Sequence, residues 1–280
     1  MNTGHCCSSG VDYASMPGCP ACDWTGESLD LPALARHFEN GVHSALVTDT
    51  APAAWLSDAL GFGGRVATNF PASARILHPA TDVTTGEAVS WASAARAFDR
   101  ICPDRLDWIL ELADSDDWSA PAQGSLDRPQ LDVVIDILAR HTGTPGLCYF
   151  GVWEGWQWFD TVGRSAGRDG AIGLMQVLNP EDVLRETRRQ ACFELFDLRY
   201  LLLRGPIGDA GRIGGQITPR TLVMQSPNLL WPADRSWLLC TGIDDYETYV
   251  SGSAELVAEL AASSLLEVER VSADRIEIGA

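Results

Sequence analysis

Lysine is missing altogether: the 20 basic side chains are all arginine, against 38 acidic ones, for a formal net charge of −18 over 280 residues. That absence excludes every chemistry that needs a lysine, from Schiff-base formation to the lysine of a P-loop. The shortage of positive charge argues against nucleic acid as a partner, because backbone binding needs cationic side chains to displace phosphate counterions. It argues equally against anionic membrane surfaces. The simplest role of the charge is to keep the chain in solution, while a basic partner, a cation or a neutral small molecule stays open. Arginine without lysine, beside Ala-rich stretches, is the mark of a GC-rich genome more than of a mechanism.

No apolar run approaches the ~18–20 residues that a membrane helix requires. The first residues lack the basic and then apolar regions of a secretory signal. The expectation is a cytoplasmic protein whose eight cysteines are reduced. The sequence also holds no G-x-S-x-G, no H-E-x-x-H, no P-loop, no G-x-G-x-x-G after a strand, and no internal repeat. Such gaps do not exclude an enzyme, since triads are assembled in space.

What is present is enough apolar material for a sizeable core, at 46% of residues, and ten tryptophans. Helical spacing predicts helices from Asp30 to Gly41, over Ala53–Leu60, over Glu87–Phe98 and from Pro129 to Arg140, one starting at Asn179, and one from Ser253 to about Ala262. Strands are predicted at Ser44–Thr48, Arg75–Leu77, Gly146–Trp153, Leu198–Leu203, Trp237–Ile243 and Leu266–Val271. Residues 103–128 read as irregular and acidic, 161–178 as a Gly-rich loop, and Ser226–Trp237, with its two prolines, as a structured loop. Strands and helices mix without a regular βα alternation. This predicts an α+β fold: one mixed domain over residues 30–280, its central sheet largely antiparallel and flanked by helices. A short Cys-rich segment, residues 1–28, precedes it.

That segment carries the clearest chemical pattern. Cys19-Pro20-Ala21-Cys22 places two thiolates on one side of a tight turn, matching two corners of a tetrahedral zinc site, and His5 and Cys7 supply a further pair. Cys6 is the alternative to Cys7. A polar stretch this short needs such a staple to hold a fold. Two other readings stay open. One is a redox dithiol, although the strand-then-helix setting of thioredoxin-like proteins is absent here. The other is a tail with idle thiols. Cys102, Cys148, Cys192 and Cys240 stand alone among apolar neighbours and read as core.

In the body, His78 ends a strand, a position from which side chains often face a cleft; it reads as either structural or functional. His141 fits the last turn of its helix, where positive charge is favoured. His37 and His43 read as helix-end and loop residues. Trp153, Trp156 and Trp158 surround Glu154, and in an extended chain Glu154, Trp156 and Trp158 share a face. A carboxylate among indoles suits a cation, a sugar or a peptide, and the same rings equally suit the edge of a core. Trp231, Asp234, Arg235 and Trp237 form the second dense segment. Asp244, Asp245 and Glu247 read as a solvated acidic turn, without the spacing of an EF-hand.

Arg75-Ile76-Leu77-His78-Pro79, Gly151–Trp156, Tyr200–Pro206, and Ser226–Trp237 running on to Thr248–Gly252 together resemble a group of uncharacterised proteins found widely in actinobacteria. The likeness spans most of residues 30–270 and leaves the cysteine segment outside as an addition. It implies a source and a single domain, and no function.

The leading expectation is therefore a non-catalytic binding or accessory protein. Its contact surface would comprise Trp153, Glu154, Trp156, Trp158, Trp231, Arg235 and Trp237, facing an unidentified protein or small molecule. One alternative is a hydrolase or metal-assisted enzyme with His78, Glu154 and Asp234 in one pocket. The other is a redox or metal-handling protein acting through Cys19 and Cys22, with zinc as the metal.

Overall fold

The computed structural model describes residues 47–61, 64–97, 117–156, 190–218 and 221–271. The helices expected at Asp30 and Asn179, the loop at 161–178, Trp158, Cys102, His37, His43 and the cluster of His5, Cys7, Cys19 and Cys22 lie outside these residues.

The strands, in chain order, are β1 (Ala72–Leu77), β2 (Ala80–Asp82), β3 (Ala88–Val89), β4 (Trp118–Ser119), β5 (Cys148–Trp153), β6 (Cys192–Leu195), β7 (Leu198–Gly205), β8 (Gly214–Thr218), β9 (Thr221–Met224), β10 (Leu229–Pro232), β11 (Leu238–Cys240), β12 (Glu247–Gly252) and β13 (Glu267–Val271). The helices are α1 (Leu56–Leu60), α2 (Trp91–Ala97), α3 (Arg128–Arg140) and α4 (Ala254–Ala262), with 3-10 turns at Ala51–Ala53 and Ile207–Arg212. Eight strands form one sheet in the order β13-β1-β12-β11-β10-β5-β7-β6. Every pairing in it is antiparallel. The fold is α+β with an antiparallel sheet flanked by helices, as the sequence predicts.

The sheet is buried on both faces. Alternate residues of each central strand therefore enter different cores. Phe150, Leu201, Leu203, Leu230, Leu239 and Val250 meet α3 and α4 on one side. Phe193, Tyr200, Leu202, Leu229, Trp231 and Leu238 meet the α1 region on the other. This explains the apolar runs Leu201–Leu203 and Leu229–Trp231, which show no alternation because neither face is wet.

Helix α3 presents Leu131, Val134, Ile135 and Leu138 to the sheet, the i, i+3, i+4, i+7 spacing of one buried stripe. Pro129 sits in its first turn, where the missing N–H costs nothing. At its far end, His141 Nε2 lies 2.6 Å from Glu259 of α4, and Arg140 Nε donates to the same carboxylate at 2.9 Å. Ser253 caps α4 by accepting from Leu256 N.

Three sequence expectations need correction. Ser226–Trp237 is no loop throughout, since it contains β10, a central strand; its prolines stand before the strand and at its last residue. The helix expected over Glu87–Phe98 starts only at Trp91, because Ala88–Val89 pairs with β2, and the Glu267 carboxylate caps the helix by accepting from Trp91 N and Ala92 N. The helix expected over Ala53–Leu60 is a 3-10 turn followed by a short α-helix; Gly61 does end it, with φ +60°.

Candidate functional site

Two places in the fold gather chemistry-bearing residues. The first is the end of the sheet where β1, β5 and β11 finish and β10 and β12 begin. Here His78, Gln225, Ser226, Asn228, Thr241 and Thr248 are all buried. Each polar group costs free energy there unless it is paired. His78 is fully enclosed, with Nδ1 2.8 Å from Ala122 O and Nε2 2.8 Å from Thr248 Oγ1. Thr248 Oγ1 in turn meets Thr241 Oγ1 at 2.8 Å. The pattern fits a neutral imidazole whose Nδ1–H donates to Ala122 and whose Nε2 accepts from Thr248. Burial draws its pKa below the ordinary value, against the opposing pull of the Ala122 bond.

Asn228 is the second hub of this end. Its Oδ1 accepts from Trp153 N at 3.0 Å and Trp156 Nε1 at 3.1 Å, while Nδ2 donates to Thr241 O at 3.2 Å. Gln225 Nε2 reaches Gly124 O, and Leu126 N donates to Ser226 Oγ. The loop around residues 122–126 is thereby stitched to the sheet end by side chains from two separate segments, His78 and the stretch from Gln225 to Asn228. Both nitrogens of His78 and both ends of the Asn228 amide are occupied within the fold. The arrangement locks the loop and leaves the histidine no group with which to meet a substrate.

The second place is a groove of about 500 Å³ beside β6, at one edge of the sheet. All four β6 residues line it, together with Thr50, Ala54, Ser57 and Arg199, the β7 residue opposite Glu194. Glu154 Oε1 pairs with Arg199 Nη1 at 2.9 Å, and Cys192 Sγ donates to Glu154 Oε2 at 3.6 Å. The β6–β7 hairpin turns through Phe196 and Asp197, both with positive φ (50° and 63°), as a two-residue primed turn demands.

The sequence-predicted residues divide as follows. His78, Glu154 and Asp234 do not share a pocket. Asp234 lies past the β10 residue opposite Cys148, whereas Glu154 follows Trp153 at the other end of β5, roughly 17 Å away at ~3.3 Å per residue. His78 is at the same sheet end as Glu154 but four strands away, roughly 19 Å at ~4.8 Å per strand. Acid–base partners need hydrogen-bond reach, and these lack it. Asp234 instead accepts from Gly143 N at 2.7 Å, from Thr142 Oγ1 and from Ser236 N, fastening two loops. Burial raises its pKa, but these bonds outweigh it and hold the carboxyl below its usual range.

Trp231 and Trp237 are 1% and 0% exposed and belong to the core, not to a contact surface. Trp231 stacks on Tyr149 with centroids 5.7 Å apart and meets Trp55 edge-on. Trp237 Nε1 donates to Leu138 O of α3. Arg235 is exposed and lies 5.2 Å over the Trp55 ring, a cation–π contact. Trp153 and Trp156 are half-buried, edge-on at 5.3 Å. Cys148 and Cys240 are buried, their thiols pushed up to about 12, while Cys192 is half-buried at the groove. Asp245 of the acidic turn is an ion-pair partner, 2.6 Å from Arg65 Nε.

The groove was missed from sequence because it joins residues near 50 to residues near 195. The two positive-φ residues between short apolar runs, Glu194-Leu195-Phe196-Asp197-Leu198, carry no glycine to announce the turn.

Among the described residues, no group of three or more His, Cys, Asp and Glu side chains is placed to hold a metal. Among the same residues no helix is long and apolar enough to cross a membrane. No protein-family model matches the chain, and neither does any curated protein or solved structure.

Proposed function

We propose that this is a non-catalytic binding or accessory protein whose contact site is the groove beside β6. The observation that carries the reading is that β6, the last strand of the sheet among the described residues, borders an open groove with all four of its residues. Trp153 supports the site from behind: it stands opposite Tyr200, which stands opposite Phe193 of the groove wall, in one row across three strands. This moves the contact site away from Trp231 and Trp237, which serve the core.

The test fills the groove without touching the core. Ala54 is exposed and lines the groove, so Ala54→Trp blocks it while leaving the sheet intact. Wild type and variant are used as bait in extracts of the source cells, with thermal unfolding as the folding control. A protein captured by wild type and lost by the variant supports the reading. Identical capture by both removes the groove as the contact site.

A further inference from the structure

The inference rests on the groove being the contact site: we propose that it takes a free α-amino acid with an apolar side chain, the ammonium held by Glu194 and the carboxylate by Arg199. Size is the first argument. At about 500 Å³ the groove falls within the roughly 300–1,000 Å³ of small-molecule sites. Its lining holds one acid and one base, Glu194 and Arg199. A purely cationic ligand therefore meets Arg199 as a like charge, and a purely anionic one meets Glu194. A ligand that carries both signs is matched by both.

The strand register brings the two charges to the spacing of an amino acid. Glu194 stands directly opposite Arg199 in the β6–β7 hairpin. Leu195 and Leu198 flank its two-residue turn as a hydrogen-bonded pair, so Glu194 and Arg199, one step out, form a non-hydrogen-bonded pair. Side chains approach most closely in such pairs, with Cβ atoms about 4.5–5.5 Å apart, and opposite charges placed there ordinarily join each other. Here Arg199 Nη1 turns instead to Glu154 Oε1, at 2.9 Å, on the other side of β7. Among the described residues no ion pair reaches Glu194. Two neighbouring opposite charges are thus left unjoined, and an α-amino acid, whose ammonium and carboxylate share one carbon, bridges them.

The guanidinium is held ready for a carboxylate. The contact with Glu154 occupies one end of the five-donor fork, and the Arg199 side chain stays 41% exposed. Glu154 is itself fastened, its N–H donating to Arg199 O at 3.0 Å and its Oε2 accepting from Cys192 Sγ at 3.6 Å. A steadied fork binds a planar carboxylate with less ordering cost than a freely swinging one. The rest of the lining sets the side chain. Ala53, Ala54, Phe193 and Leu195 are apolar, and Thr50 and Ser57 bring only hydroxyls. Among the described residues no third charge lines the groove to receive a charged side chain, so an apolar one fits.

The probes are L-leucine and L-phenylalanine, titrated into the full chain by calorimetry beside N-acetyl-L-leucine and L-leucinamide, each of which lacks one of the two charges. Both free amino acids should bind, and each blocked form should lose about tenfold in affinity, the effect of removing one charge-assisted contact. Glu194→Gln should cost L-leucine about tenfold and N-acetyl-L-leucine nothing, because the ammonium that Glu194 holds is already gone. Arg199→Lys keeps a charge beside Glu154 but removes the fork; it should weaken L-leucine and spare L-leucinamide. The blocked ligands leave the protein unaltered, so a folding defect in either variant does not decide the result. Equal binding of L-leucine and either blocked form overturns the proposal, as does a failure of both free amino acids to bind. Losses from Glu194→Gln and from N-acetylation that multiply put the ammonium elsewhere and overturn it too. Loss of L-leucine binding in Ala54→Trp places the amino acid in the groove. If neither amino acid binds while Ala54→Trp still loses the captured protein, the groove is a contact site with a different occupant. If Ala54→Trp changes neither capture nor L-leucine binding, it is the groove reading itself that falls.

Discussion

Asp127 is the N-cap of α3, yet its side chain makes no capping hydrogen bond. It is half-buried, and burial pushes its pKa up to about 6. An unperturbed aspartate titrates near ~3.9, so the shift of roughly two units corresponds to about 3 kcal/mol of penalty on the ionised form. Partial exposure screens some of this, and the positive end of the helix dipole returns about 0.3–1 kcal/mol to the carboxylate. The net expectation is that Asp127→Asn stabilises the protein by about 1–2 kcal/mol at pH 7.5. Three residues on, Gln130 Oε1 is buried without a partner, and an amide at position 127 would bring a donor that a carboxylate lacks.

The pH dependence makes the reasoning refutable. The folded carboxyl keeps its proton up to about pH 6, the unfolded one only to about pH 4. The folded state thus binds more protons in that window, and wild-type stability from this group falls as pH rises through it. Urea unfolding followed by tryptophan fluorescence at pH 4, 5 and 7.5 measures the gap between wild type and Asp127→Asn. It should be full at pH 7.5, shrink through pH 6 and 5, and vanish near pH 4. A gain of equal size at pH 4 and 7.5, or a loss at pH 7.5, refutes the account of a buried, uncapped carboxylate.

His78 acts in the opposite sense. Its pKa is lowered by burial, so the unfolded state binds the extra proton and wild-type stability should fall as pH drops below about 6.5, a slope that His78→Gln should flatten in the same urea series. Asn228→Ala strips partners from Trp153 N, Trp156 Nε1 and Thr241 O together, and at about 1–3 kcal/mol for each buried orphan should cost at least ~3 kcal/mol, with a red shift of the tryptophan emission. Trp231→Ala opens a large cavity between Tyr149, Trp55 and Phe193 and should cost about 3–5 kcal/mol in chemical denaturation; a loss under ~1 kcal/mol would return Trp231 to the surface role first expected of it.

Elements made of local pattern were legible in the sequence. Helix α3 announces itself through Pro129 and its apolar stripe, α4 through the Ser253 cap, and β5 and β7 through their apolar runs. The α+β class followed from their irregular mixture. Strands β6, β10 and β12 were not read as strands. Trp231 looked like an exposed anchor because it sits between prolines, a local feature that says nothing about which face of a sheet a residue will join.

The sequence by itself determined the charge, the chemistry that lysine's absence excludes, the main helices and the material for a two-faced core. Only the tertiary structure decided the rest. It closed His78 between Ala122 and Thr248, parted Glu154 from Asp234 by the length of β5, and sank Trp231 and Trp237 into the core. It also brought Thr50 and Ser57 to the edge of β6 to make a groove. The physical reason is that antiparallel pairing joins segments far apart in the chain, such as β1 with β12, and local spacing carries no information about which strand will be the neighbour.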